Sequence, residues 1–142
     1  MTLFEQAVQP LKKYADFKGR ASVAEFWTFF MLVLLLNAAA RMLGPGVSAL
    51  VALALVVPQI AVTMRRLHDV NKSGRELVLP LGMLAIGPLF YAFGGFIGQI
   101  VVLGYLGLLL LVFANLLLML ARKGSPTPNK YGKSPEAFSF GN

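Results

Sequence analysis

One histidine, six carboxylates and no cysteine are the whole stock of acid–base and metal-binding side chains in this 142-residue sequence, hydroxyls and amines aside. The histidine stands in Arg65-Arg66-Leu67-His68-Asp69, with Ser22 and Ser73 available to complete a serine, histidine and aspartate set. The spacing opposes that chemistry. Neighbours on a helix point about 100° apart, so Asp69 cannot orient the His68 ring, and neither serine lies in a nucleophile elbow. The residues predict no catalytic constellation. Without thiolates, and with one imidazole, they predict no metal site and no cofactor either.

What remains is a set of polar residues in three short segments: 17–27, 65–74 and 129–132. The candidate cluster drawn from them is Arg20, Ser22, Glu25, Arg65, Arg66, His68, Asp69, Ser73, Asn129 and Tyr131. Bringing these together requires that the intervening chain return each segment to one place, so the elements between them decide the matter.

Those elements are apolar. The chain is 57% hydrophobic and 13% charged with a mean hydropathy of +0.71, against about a quarter charged in soluble domains. A soluble fold of this size would carry much of that apolar surface as an aggregating patch; a lipid-facing exterior removes the difficulty. The uncharged stretches place spans at 25–43, 47–64, 77–93 and 99–121, with a tail over 122–142. Each is near the roughly 20 residues that cross a hydrocarbon core. Gly44-Pro45-Gly46 separates the first two, Pro58 is placed to kink the second, and the Gly94 to Gly98 segment is the reversal expected between the last two. Prolines and glycines make the third span the least regular, which keeps three full spans plus a hairpin open. Asn37, Gln59, Gln99 and Asn115 lie inside spans, where hydrogen bonds between helices are the default expectation.

Charge sets the orientation. Twelve of the thirteen Lys and Arg residues fall in 1–25, 65–76 and 122–142, and only Arg41 falls on the other side. The positive-inside rule then puts both termini in the cytoplasm, and the net charge of +7 needs no nucleic-acid partner. No cleavable signal peptide is expected, so the first helix stays as an anchor. Before it, Phe4, Ala7, Val8, Leu11, Tyr14 and Ala15 recur at helical spacing opposite Glu5, Gln6, Gln9, Lys12, Lys13 and Asp16. Two readings of this helix stand: one lying on the leaflet, one packed on the bundle.

Within that frame Ser22 is an N-cap for the first span, with Glu25 completing a capping box, and Trp27 is an interfacial anchor. Gln59, Thr63 and Arg66 form a polar stripe if the second helix continues into the charged segment. Arg65 and Asp69 stand at i and i+4, suited to a local ion pair, and Arg20 can pair with Asp69 or hold a lipid phosphate. A basic pocket of Arg20, Arg65, Arg66 and His68 for an anion is one reading. A buried salt-bridge cluster that fixes helix order is the other, and the need of membrane-depth charges for partners favours it.

The three segments, in order, resemble the GRxSRxEFW, RRLHDxGxSGW and NxYG elements of a bacterial inner-membrane family, domain of unknown function 805. Val23 stands where the family usually has a basic residue, Asn71 where glycine is common, and Arg75 where an aromatic is usual. The resemblance implies a small multi-spanning inner-membrane protein and brings no reaction. The sequence thus predicts an all-α membrane protein, four transmembrane helices with a short N-terminal interfacial helix, in one domain. Its expected role is noncatalytic: a binding or assembly component meeting the lipid bilayer, anionic headgroups or a membrane protein partner, with a homo-oligomer open. A small transporter or channel subunit is the alternative.

Overall fold

The computed structural model describes residues 2–90 and 95–135, and among them the regular structure is helical. Helix α1, Leu3–Lys12, starts on a reciprocal capping box. The Thr2 hydroxyl accepts from the Glu5 N–H at 3.2 Å, and the Thr2 N–H donates to the Glu5 carboxylate at 2.8 Å. That backbone donor holds the Glu5 carboxyl below its ordinary value. Helix α2, Val23–Met42, begins at Ser22, whose Oγ accepts from the Glu25 N–H at 3.0 Å. Only this half of the expected capping box forms, because the Glu25 side chain turns to Arg65 instead.

Gly44, at φ +117°, breaks the chain between α2 and α3, and Pro45 opens α3, Pro45–Asp69, where its missing N–H costs nothing. Helix α3 runs unbroken past the expected span end at 64 and through the charged segment. It ends in a Schellman arrangement: Lys72 N–H bonds to the Leu67 carbonyl and Asn71 N–H to that of His68, with Asn71 at φ +58°. The left-handed conformation is one that Gly adopts freely and Asn tolerates.

One turn of 3-10 helix, Gly74–Leu77, leads to α4, Val78–Phe90, and α5 is Gly95–Ala121. Three helices, α2, α3 and α5, are long and apolar enough to cross a membrane. The 13 residues of α4 reach about 20 Å at 1.5 Å each, short of the roughly 30 Å of a hydrocarbon core. The expected reversal is corrected in part: Gly95 to Gly98 are already helical, so α5 starts four residues before the expected 99, and residues 91–94 lie outside the described ones.

The core is one-sided. Phe26 and Phe29 of α2, Leu55, Val62 and Leu67 of α3, and Leu116 and Leu120 of α5 pack with Ala21 and Leu77. Leu55 and Val62 are seven apart and Leu116 and Leu120 four apart, so each pair shares a helix face. Apart from Leu55 these residues lie toward the N-terminal end of α2 and the C-terminal ends of α3 and α5. At the opposite ends Met42, Leu43, Phe96 and Ile97 are exposed. Trp27 joins the core edge, edge-on to Phe26 and Phe30.

Asn37 is also corrected: its amide bonds back to the Val33 carbonyl of its own helix, as the Thr63 hydroxyl does to that of Gln59. Gln99 and Asn115 are exposed. Pro58, buried within α3, has no N–H to offer the carbonyl of Ala54 one turn back. The Tyr14 hydroxyl, from the segment after α1, donates to that carbonyl. Tyr14→Phe should therefore lower stability by about 1 kcal/mol, read as a lower thermal midpoint of the detergent-solubilised protein, whereas an unchanged midpoint would make the bond dispensable.

Candidate functional site

Both arginines of the α3 charged segment are buried, Arg65 at 1% and Arg66 at 0% exposure, and Arg20 and Asp69 lie beside them at 8% and 3%. Charges so placed are tolerable only when paired and hydrogen-bonded. Asp69 supplies the pairing. Its Oδ1 accepts from Arg20 Nε at 2.9 Å and lies 2.7 Å from Nη2 in the ion pair, and its Oδ2 accepts from Arg66 Nη1. One carboxylate thus joins the segment before α2 to the end of α3, across 49 positions of sequence.

The remaining guanidinium donors go to backbone carbonyls. Arg66 Nε donates to Leu120 at 2.9 Å and Nη2 to Arg122, so a side chain of α3 caps the C-terminus of α5. Arg20 Nη1 donates to Thr127 at 2.9 Å and to Gly132 at 3.4 Å, and Nη2 to Ser125. The Asp69 carbonyl accepts the Ser125 N–H at 2.9 Å. The tail is therefore wrapped over the cluster by its own main chain. Gly124 allows this: a Cβ built there would stand 1.9 Å from Asp69 Oδ2.

His68 serves the same docking. Its Nδ1 lies 3.1 Å from the Gly19 carbonyl, which can only accept, so Nδ1 carries the proton. Its ring stacks on Tyr131 at 3.8 Å between centroids and 7° between planes. Its carbonyl accepts the Asn129 amide at 2.9 Å, and the Asn129 Oδ1 turns the tail by accepting from Tyr131 N–H.

The predicted set is thus assembled in part. Arg20, Arg66, His68, Asp69, Asn129 and Tyr131 form one network. The expected Arg65 to Asp69 pair is not formed: Arg65 Nη1 bonds to Glu25 Oε1 at 3.0 Å, because Asp69 is occupied by Arg20 and by Arg66 at i+3. Ser73 stays apart, its hydroxyl capping the 3-10 turn through Arg75 N–H. Ser22 is spent on α2, and neither serine bonds to His68. Among the described residues no group of three His, Cys, Asp or Glu side chains is placed to hold a metal. Gly124 and the carbonyls of residues 120–132 were missed by sequence reasoning. A glycine just past an apolar helix was their one signal.

Beside the network lies a cavity of about 300 Å³ lined by Gln6, Gln9, Lys13, Arg20, Ser22 and Glu25, and touched by Pro135 of the tail. Among the described residues Gln6 Oε1, Gln59 Oε1, and Arg65 Nε and Nη2 are buried without partners, and of these three residues Gln6 lines the cavity.

Three long apolar helices, tied at one end by a buried charge cluster that also fastens the tail, define a small multi-spanning helical membrane protein. The chain belongs to the family described as Protein of unknown function (DUF805), which matches residues 14–133 and so takes in every element of the network. It is 30% identical over 133 residues to the inner membrane protein YhaI of Escherichia coli strain K12, covering 89% of this chain and 91% of the relative. The same protein of Escherichia coli O157:H7 matches with the same figures. No solved structure matches the chain.

The shared carboxylate carries a direct expectation. Asp69→Asn leaves two buried guanidiniums without a counter-charge and should cost about 3 kcal/mol or more. Gly124→Ala should act in the same direction by pushing the tail off Asp69. Both are read as a lowered thermal midpoint with faster protease cleavage within 122–135, and wild-type behaviour of both would remove Asp69 from the centre of the fold.

Proposed function

We propose that the protein is a noncatalytic binding component of the inner membrane, with four spans and both termini cytoplasmic, that holds a phospholipid headgroup at its cytoplasmic face. The observation that carries this reading is the internal matching of the charged network. Arg20, Arg66 and Asp69 are each committed to protein partners, so none of the three is free for a diffusible anion, and His68 gives its Nδ1 to the Gly19 carbonyl. They make one connected platform, and the cavity lined by Gln6 and Gln9 lies beside it, on the side of α1.

The same reading makes α1 an interfacial helix. It packs on α2 and α3 through Gln6 and Pro10, which are buried, and leaves Leu3, Phe4 and Leu11 uncovered. An apolar row beside a basic face suits the boundary of an anionic leaflet. The second reading, a transporter subunit, draws on Gln59, whose Oε1 is buried without a partner one turn before Thr63. It requires solute flux in reconstituted vesicles.

The absence of native cysteine makes the topology directly testable. Single cysteines at Lys72 and Lys130 should react with a membrane-impermeant maleimide only after the inner membrane is opened, and one at Ser48 should react in intact spheroplasts. Labelling of Lys130 and Lys72 positions on opposite sides would overturn the four-span arrangement. Loss of all phospholipid from the purified full chain without loss of its thermal midpoint would overturn the binding role.

A further inference from the structure

A second cavity shares no lining residue with the one beside α1. It lies between the 3-10 turn, the start of α4 and α5, holds about 120 Å³, and has Arg75, Glu76, Leu79, Val112 and Asn115 in its walls. Arg75 and Asn115 are both exposed, so a group entering the cavity can touch them. The Arg75 guanidinium forms neither an ion pair nor a hydrogen bond among the described residues. The Asn115 amide has no partner among them either. The one carboxylate in the lining, Glu76, is paired with Lys72, Oε1 to Nζ at 3.9 Å.

These two groups differ in what surrounds them. Arg75 stands in the turn that follows α3, at the charged end of the bundle. Asn115 stands six residues before the end of α5 at Ala121, about 9 Å along the axis, in apolar company. Leu111 and Leu108, four and seven positions earlier, share its helix face and are 69% and 55% exposed. A free phosphate suits Arg75 but does nothing for Asn115 or the leucines. A hydrocarbon chain suits the leucines and leaves both polar groups unmet, which is costly for an amide at that depth. A phospholipid offers all three in the same order: phosphate, ester carbonyl, acyl chain. The cavity takes only the polar junction, and the chain lies on the helix surface beyond it.

We infer that this cavity holds a diacyl phospholipid by that junction. Phosphate oxygens accept from the Arg75 guanidinium, an ester carbonyl accepts from the Asn115 amide, and an acyl chain runs along Leu111 and Leu108. The inference does not rest on the cavity beside α1; it assigns a separate lipid place, one that reads the phosphate and the ester linkage.

The test uses the full chain in detergent and counts retained lipid by native mass spectrometry, with diester phosphatidylglycerol, its diether analogue and diacylglycerol as probes. The wild type should retain the diester about threefold over the diether, the worth of one side-chain hydrogen bond within a membrane. It should retain it about fivefold over diacylglycerol, the worth of one arginine at an anionic interface. Asn115→Leu should remove the first preference and Arg75→Gln the second, and Lys13→Met should change neither. Equal retention of the three probes by the wild type, which needs no variant to fold, would overturn the inference. Ratios moved by Lys13→Met and not by Arg75→Gln would also overturn it, placing the lipid beside α1 and leaving the headgroup reading standing. If Asn115→Leu halves the mass of the assembly and leaves the lipid ratios alone, the amide belongs to a contact with a second copy and the inference fails. Glycerophosphoglycerol competing as well as the whole lipid would make the ligand a soluble phosphodiester and overturn the lipid source.

Discussion

A buried carboxylate shared by two buried guanidiniums is the constraint on which the rest of this molecule depends. Asp69 is the sole anionic partner of Arg20 and Arg66 among the described residues, and each arginine spends its other donors on carbonyls of the α5 end and the tail. Removing the carboxylate would release the start of α2, the end of α5 and the tail together. The arrangement resembles a helix cap extended over three segments: orphan carbonyls at a helix C-terminus are met by side chains from elsewhere, and the cations are neutralised behind them.

This constraint explains where the core lies. Most buried apolar side chains sit within a few turns of the charged network, while the far ends of α2, α3 and α5 present Met42, Leu43, Phe96 and Ile97 outward. In lipid there is little hydrophobic gain from pressing those far ends together. The charged end has a stronger reason to stay closed, because separating its partners would strand charges at low dielectric. Position within the membrane and cohesion of the bundle thus come from different parts of the chain.

The fold was legible in the sequence wherever the governing rule is local. Hydropathy located α2, α3 and α5 and Ser22 was readable as a cap, whereas the second span was ended at 64 and its continuation into the charged segment entered only as the condition for the Gln59, Thr63 and Arg66 stripe. The family resemblance was likewise readable from the three polar segments. The pairing within the site was legible in part: Arg20 with Asp69 was one of the two readings of Arg20, and that pair is formed. Spacing at i and i+4 favours Arg65 with Asp69, yet Asp69 takes Arg66 at i+3 and Arg20 from 49 positions away, and Arg65 goes to Glu25. The tail was read into the cluster through Asn129 and Tyr131, but its carbonyls were not, because every residue has one. Gln6 was read as a residue of the polar face, whereas packing buried it and left the apolar face open.

The wrapping of residues 120–132 over Arg20, Arg66 and Asp69 also dictates an order of assembly. The three charged side chains are made and delivered to the membrane before the carbonyls that complete their hydrogen bonds leave the ribosome. Until then the donors that meet Leu120, Arg122, Ser125 and Thr127 have no protein acceptor, and the ends of α2 and α3 are joined only by Arg20 with Asp69, Arg65 with Glu25 and the Ala21 N–H to the Arg65 carbonyl.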